Sequence, residues 1–193
     1  MKKFTLCLLT AILGVGLSAN AQIQKGNVLV GGNFADLNLG LSGSKVFSLD
    51  ITPKAAWFIE DNVALGGYAN IGLKTAKDQA TTTNYGLGAL GRYYTGKDAE
   101  VLKHGRLFGE ATLGFGGTNT SRGGGNTNGL AFSFGPGFAY FITPNIGLET
   151  LLKYNGVAGF GNTGYQNNLS LSFGFQIYLP GQRTINKVKS DVR

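Results

Sequence analysis

Reactive chemistry is scarce in this chain. Its 193 residues hold one cysteine (Cys7), one histidine (His104), four prolines and only 14% charged residues. A single thiol excludes a disulfide framework and a cysteine-based zinc site. Beyond the amino-terminal segment no apolar run reaches the roughly 18 residues that a membrane-spanning helix needs. Period 3.6 is nowhere convincing, so an ordinary helical domain is excluded as well.

What is present begins with a leader. Lys2 and Lys3 precede an apolar stretch at 6–17, and Ala19-Asn20-Ala21 forms a small-x-small cleavage site. Residues 1–21 therefore read as a secretory signal peptide, with an apolar core too short to span a bilayer. Cys7 leaves with it. Loss of Lys2 and Lys3 lowers the formal charge from +7 to +5. Of that, the segment 180–193 carries +3, from Arg183, Lys187, Lys189 and Arg193 against Asp191. The basic balance thus sits largely in one tail and is no nucleic-acid footprint. Residues 22–179 are expected to form one domain and 180–193 a basic periplasmic tail.

Period two dominates that domain. Eight runs alternate large apolar residues with small or polar ones, at about 27–36, 46–58, 63–75, 84–95, 106–118, 129–141, 146–155 and 167–179. In the sixth run Leu130, Phe132, Phe134, Pro136, Phe138 and Tyr140 share one parity, and Ala131, Ser133, Gly135 and Gly137 the other. The connections at 60–62 and 143–145 are tight. Those after the first, third, fifth and seventh runs are longer and rich in Gly, Asn, Thr and Ser. An even strand number with short turns at one end and longer loops at the other predicts an all-β, eight-stranded antiparallel transmembrane barrel, an up-and-down meander.

Side-chain size decides which face looks outward. An eight-stranded lumen is just wide enough for side chains to fill. Roughly four bulky groups per strand would crowd it, whereas the 32 glycines, with Ala and Ser, suit a narrow lining. The large face is therefore expected toward lipid, and closure satisfies every backbone hydrogen bond there.

The same unit occurs twice. Pro53, Trp57-Phe58 and Asn62-Val63 match Pro136, Tyr140-Phe141 and Asn145-Ile146. Trp57-Phe58, Tyr93-Tyr94, Tyr140-Phe141 and Tyr178 lie at strand ends and are expected to form one interfacial aromatic girdle. Phe47, Tyr85, Phe115 and Tyr154 are placed to form the other. On the repeated P-x-x-x-[WY]-F-I…N-[VI]-x-L unit and the Gly91-Arg92-Tyr93-Tyr94 run, residues 26–179 resemble the small outer-membrane barrels of Gram-negative bacteria, of the OmpX and OmpA transmembrane-domain kind. The resemblance implies residence in the cell outer membrane, a periplasmic amino terminus with short periplasmic turns, and insertion by the barrel-assembly machinery. Outer-membrane lipid and lipopolysaccharide are the expected surroundings of a monomer. Two departures stand out: the last run is followed by 180–193 rather than ending on an aromatic, and no peptidoglycan-binding domain follows.

In this register Asp50, Lys54, Lys74, Arg92, Glu110, Glu149 and Lys153 face the lumen. Arg92 and Glu110 fall on neighbouring strands and are expected to pair, with Lys54 and Glu149 at similar depth. A buried charge without compensation costs several kcal/mol, so a lumenal network of Lys54, Arg92, Glu110, Glu149 and Lys153 is expected. It is either a polar plug or a selectivity filter or proton path; lumen size favours the plug. No enzyme reading stands: His104 is alone in a hydrophilic connection, and Gly123–Gly125 lacks the Lys-[Ser/Thr] of a phosphate loop. The sequons at Asn119 and Asn168 are chance matches in this setting. No metal or cofactor is expected. The readings carried forward are a structural or surface-contact barrel, a narrow solute channel, and an accessory to secretion or envelope assembly whose basic tail meets a periplasmic partner.

Overall fold

A computed structural model describes residues 23–38, 47–75, 81–96, 104–121, 126–160 and 165–181. The signal-peptide segment and residues 182–193 of the basic tail lie outside them. Eight strands follow one another: β1 (Val28–Asn38), β2 (Phe47–Glu60), β3 (Val63–Thr75), β4 (Thr82–Tyr94), β5 (Gly105–Thr120), β6 (Asn126–Thr143), β7 (Ile146–Gly159) and β8 (Tyr165–Leu179). Each pairs antiparallel with its chain neighbour, and β1 closes on β8. The expected meander is the observed one. The strands outrun the sequence pattern at the loop end: β5 and β6 stay paired out to Asn119 and Asn126, because polar Asn and Thr there keep the ladder without keeping the apolar alternation.

The repeated unit builds two alike hairpins. Register passes from Phe58↔Ala64 to Glu60↔Val63, and from Phe141↔Gly147 to Thr143↔Ile146, so Ile59 and Ile142 are each an extra residue at a bulge. Two residues then turn the chain, Asp61-Asn62 and Pro144-Asn145. Asn62 takes the left-handed conformation, φ 66°, which asparagine tolerates better than most side chains.

Alternation sorts the side chains as their sizes require. Leu87 and Phe115 oppose each other across β4 and β5 and are 68% and 67% exposed on the outer face. Ile51, Leu65, Leu113, Phe134, Leu148 and Phe173 continue that apolar surface around the barrel. A surface of this kind is unstable in water but is what a spanning barrel presents to hydrocarbon.

The buried cluster lies inside, at the turn end. Phe58, Tyr94, Phe108, Phe141 and Tyr178 fill the lumen there with Leu29 and Ile23. Ring centroids lie 5.4 Å apart for Tyr94–Phe108 and 5.1 Å apart for Phe141–Tyr178. The chain ahead of β1 folds against this floor: the Asn62 amide donates to the Ile23 carbonyl at 2.9 Å, and the Gly26 amide to that of Phe58 at 2.7 Å. Lys25 pairs with Glu60 at 2.6 Å on the exposed rim.

Candidate functional site

Above the aromatic floor a belt of charge crosses the lumen. Register sets Arg92 of β4 directly opposite Glu110 of β5, as the sequence predicts. The guanidinium donates to Glu110 through Nε at 3.0 Å and Nη2 at 2.5 Å. Its other arm, Nη1, reaches Glu149 on β7 at 2.7 Å. Lys54 of β2 reaches the second oxygen of Glu110 at 2.5 Å. The expected compensation is present, but Lys54 and Glu149 take other partners than each other. The order is Lys54–Glu110–Arg92–Glu149, two cations against two carboxylates. Two of its links, β2 to β5 and β4 to β7, join strands that are not ladder neighbours, so they span the lumen. None of the four side chains is more than 2% exposed.

Arginine suits the centre of such a belt because its planar fork offers five donors in fixed directions. Here it also lies over an aromatic face, its guanidinium carbon 4.3 Å from the Phe108 ring centroid. Two tyrosines complete the circuit. Arg92 Nη1 donates to the Tyr94 hydroxyl at 2.8 Å, and the Tyr178 hydroxyl donates to Glu149 at 3.0 Å. The two hydroxyls are 2.8 Å apart. With the Tyr178 proton committed to Glu149, Tyr94 is the donor between them.

Tyr178 therefore corrects the expected girdle. It is fully buried in the lumen, as are Phe58, Phe141 and Tyr94 within about 5%. Period two forces this outcome: 178 has the parity of Gln176, and each aromatic pair must split between faces. Trp57, Tyr93 and Tyr140 point outward at the turn end. At the loop end Tyr85 and Phe115 point outward, and the Tyr154 hydroxyl meets that of Tyr165 at 2.7 Å. The side chains of Phe47 and Lys74 lie outside those described. Lys153 and Asp50 are buried on the lumen face, and Lys153 faces Lys54 as a like charge.

Sequence reasoning missed the tyrosine arm, Phe108 beneath Arg92, and the amides of Asn33 and Gln176. Their signal was available: Arg92 and Tyr94 share a parity, as do Gln176 and Tyr178. Tyr178→Phe should remove the donor to Glu149 and the acceptor for Tyr94 without changing shape. We expect a stability loss of about 1–3 kcal/mol, read by urea titration of the barrel in lipid vesicles with Trp57, the single tryptophan, as the reporter. No loss would show that water replaces both bonds.

Among the described residues no group of three or more His, Cys, Asp or Glu is placed to hold a metal ion. His104 stands edge-on to Tyr140, with ring centroids 6.4 Å apart. The arrangement can hold paired charge away from bulk solvent.

No protein-family model and no curated protein matches the chain. Solved structures do. Neisserial surface protein A is 16% identical, covering 80% of this chain and 93% of its own, at a TM-score of 0.50. The amino-terminal barrel domain of Pseudomonas aeruginosa OprF is also 16% identical, with 80% and 98% covered and the same TM-score. The outer membrane enzyme PagL is 18% identical, with 80% and 99% covered, at a TM-score of 0.42, too distant to bear on chemistry. At these identities the likeness is one of fold: an eight-stranded barrel of the outer-membrane type.

Proposed function

We propose that this chain is a non-enzymatic, monomeric barrel of the outer membrane whose lumen is a polar plug, so that its role is structural and its contacts are made by its surface. One observation carries the reading: ion pairs that cross the lumen on top of a filled aromatic floor. A barrel of eight strands has little free cross-section, and here the belt occupies it at the level where a solute would have to pass. Neutral pairing of the four charges also favours a plug, because a filter needs a net field and exchangeable partners. Trp57, Tyr93 and Tyr140 then serve as the interfacial ring at the turn end, facing the periplasm, with lipid and lipopolysaccharide around the wall and the barrel-assembly machinery as the route of insertion. The test is conductance. The chain from Gln22 onward, refolded and verified by heat-dependent gel mobility, should be silent in a planar bilayer. Steady, discrete openings would overturn the plug and make the belt a filter.

A further inference from the structure

Among the described residues, three buried polar side-chain atoms in the lumen make no hydrogen bond to another protein atom: Asn33 Nδ2 and both Nε2 and Oε1 of Gln176. Asn33 is 2% exposed and Gln176 0%, so bulk solvent does not satisfy them. Leaving such groups unmet costs about 1–3 kcal/mol each, and native interiors meet them with protein or with ordered water.

Their position is specific. Both lie at the seam where the first and last strands close the barrel, in a square formed by Gly31 and Asn33 on β1 with Gly174 and Gln176 on β8. The amides occupy one diagonal and the glycines the other. A Cβ at Gly31 would collide with Gln176 Oε1, and one at Gly174 would stand 2.9 Å from Asn33 Oδ1. Each amide therefore lies over the opposite glycine. The ladder then names their neighbours. Gly31 is paired on its other side with Lys54, and Gly174 on its other side with Glu149. Each amide is thus separated from one end of the charge belt by a residue without a side chain. The seam is irregular at this height as well: the β1–β8 register shifts between Asn33 and Ala35, and the β1–β2 pairing runs as far as Asn33↔Thr52.

We propose that the β1–β8 seam is a binding site for structural water, which links Gln176 and Asn33 to Lys54 and Glu149 and closes the charge belt into a ring through β1 and β8, two of the four strands it otherwise skips. Water fits where another ligand would not. The site offers amide donors and an amide acceptor between an ammonium and a carboxylate, so it must both accept and donate. A buried water needs two to four polar partners, and the two amides, the Lys54 ammonium and the Glu149 carboxylate supply that number. The inference rests on the plugged lumen, since an open one would fill these positions with exchanging solvent.

Two measurements test it. In the wild-type barrel in nanodiscs, the Gln176 side-chain amide should show a magnetisation-transfer contact to water of the sign given by residence longer than nanoseconds. Its presence supports the site and its absence overturns it, whatever any variant does. Gln176→Met keeps length and removes both polar atoms. If water is bound, the folding equilibrium constant should fall roughly tenfold; an unchanged or larger constant overturns the proposal, because it means that a dry, unmet amide was removed. A barrel that conducts yet holds long-lived water would sink the plug and leave the seam site. A silent barrel without it would do the reverse.

Discussion

Arg92→Met should lower the stability of the folded barrel by about 3–5 kcal/mol, the largest loss expected from any single change in the lumen. Arg92 is the one belt residue that touches both carboxylates, and it carries the Tyr94 hydroxyl as a third partner. Removing it leaves Glu149 with only the Tyr178 hydroxyl and Glu110 with only Lys54. The two belt carboxylates are then left with Lys54 as the one belt cation, in a site closed to bulk solvent. The cost arises from uncompensated charge rather than from lost attraction, which gives a second expectation. In Arg92→Met/Glu149→Leu the surviving Lys54–Glu110 pair is neutral, so much of the loss should return. Urea midpoints in lipid vesicles measure both. A single variant costing under about 1 kcal/mol would mean that water reaches the belt and screens it as it screens surface pairs.

The second large effect comes from adding atoms. A methyl group at Gly114 would stand 2.5 Å from the Cα of Gly88 and closer still to the carbonyl oxygen of Leu87. The clash is reciprocal, since a Cβ at Gly88 would lie 2.6 Å from the Cα of Gly114. What stands in the way is the backbone of the next strand, which cannot rotate aside as a side chain can. Gly114→Ala should therefore destabilise the barrel by about 1–3 kcal/mol through forced strand separation between β4 and β5. Gly109→Ala is the matched comparison: it lies on the same strand, and a Cβ there meets nothing within 4 Å. That variant should fall within about 0.5 kcal/mol of the parent. Equal effects at the two positions would show that lost backbone freedom, and not space at the lumen wall, explains the glycines of β4 and β5.

These expectations separate what was legible early from what was not. The pairing of Arg92 with Glu110 followed from two parities and one connection, because antiparallel neighbours joined in sequence have little freedom of register. The partners of Lys54 and Glu149 did not follow. They lie on strands two or more places away, and which of them meet depends on the tilt of the closed barrel and the reach of each side chain. Tyr178 was misplaced for a different reason: composition at a strand end suggested a girdle, while the alternation it belonged to pointed inward.

Sequence alone determined the eight alternating strands, the two kinds of connection and the outward apolar face. These are local properties, set by a period of two and by the size of a side chain against the width of a small lumen. Only the tertiary structure decided the order of the charge belt, the tyrosine arm that completes it and the amide–glycine square at the seam. Each brings together residues far apart in the chain, and closure of β1 on β8 fixes their distances, which no local pattern encodes.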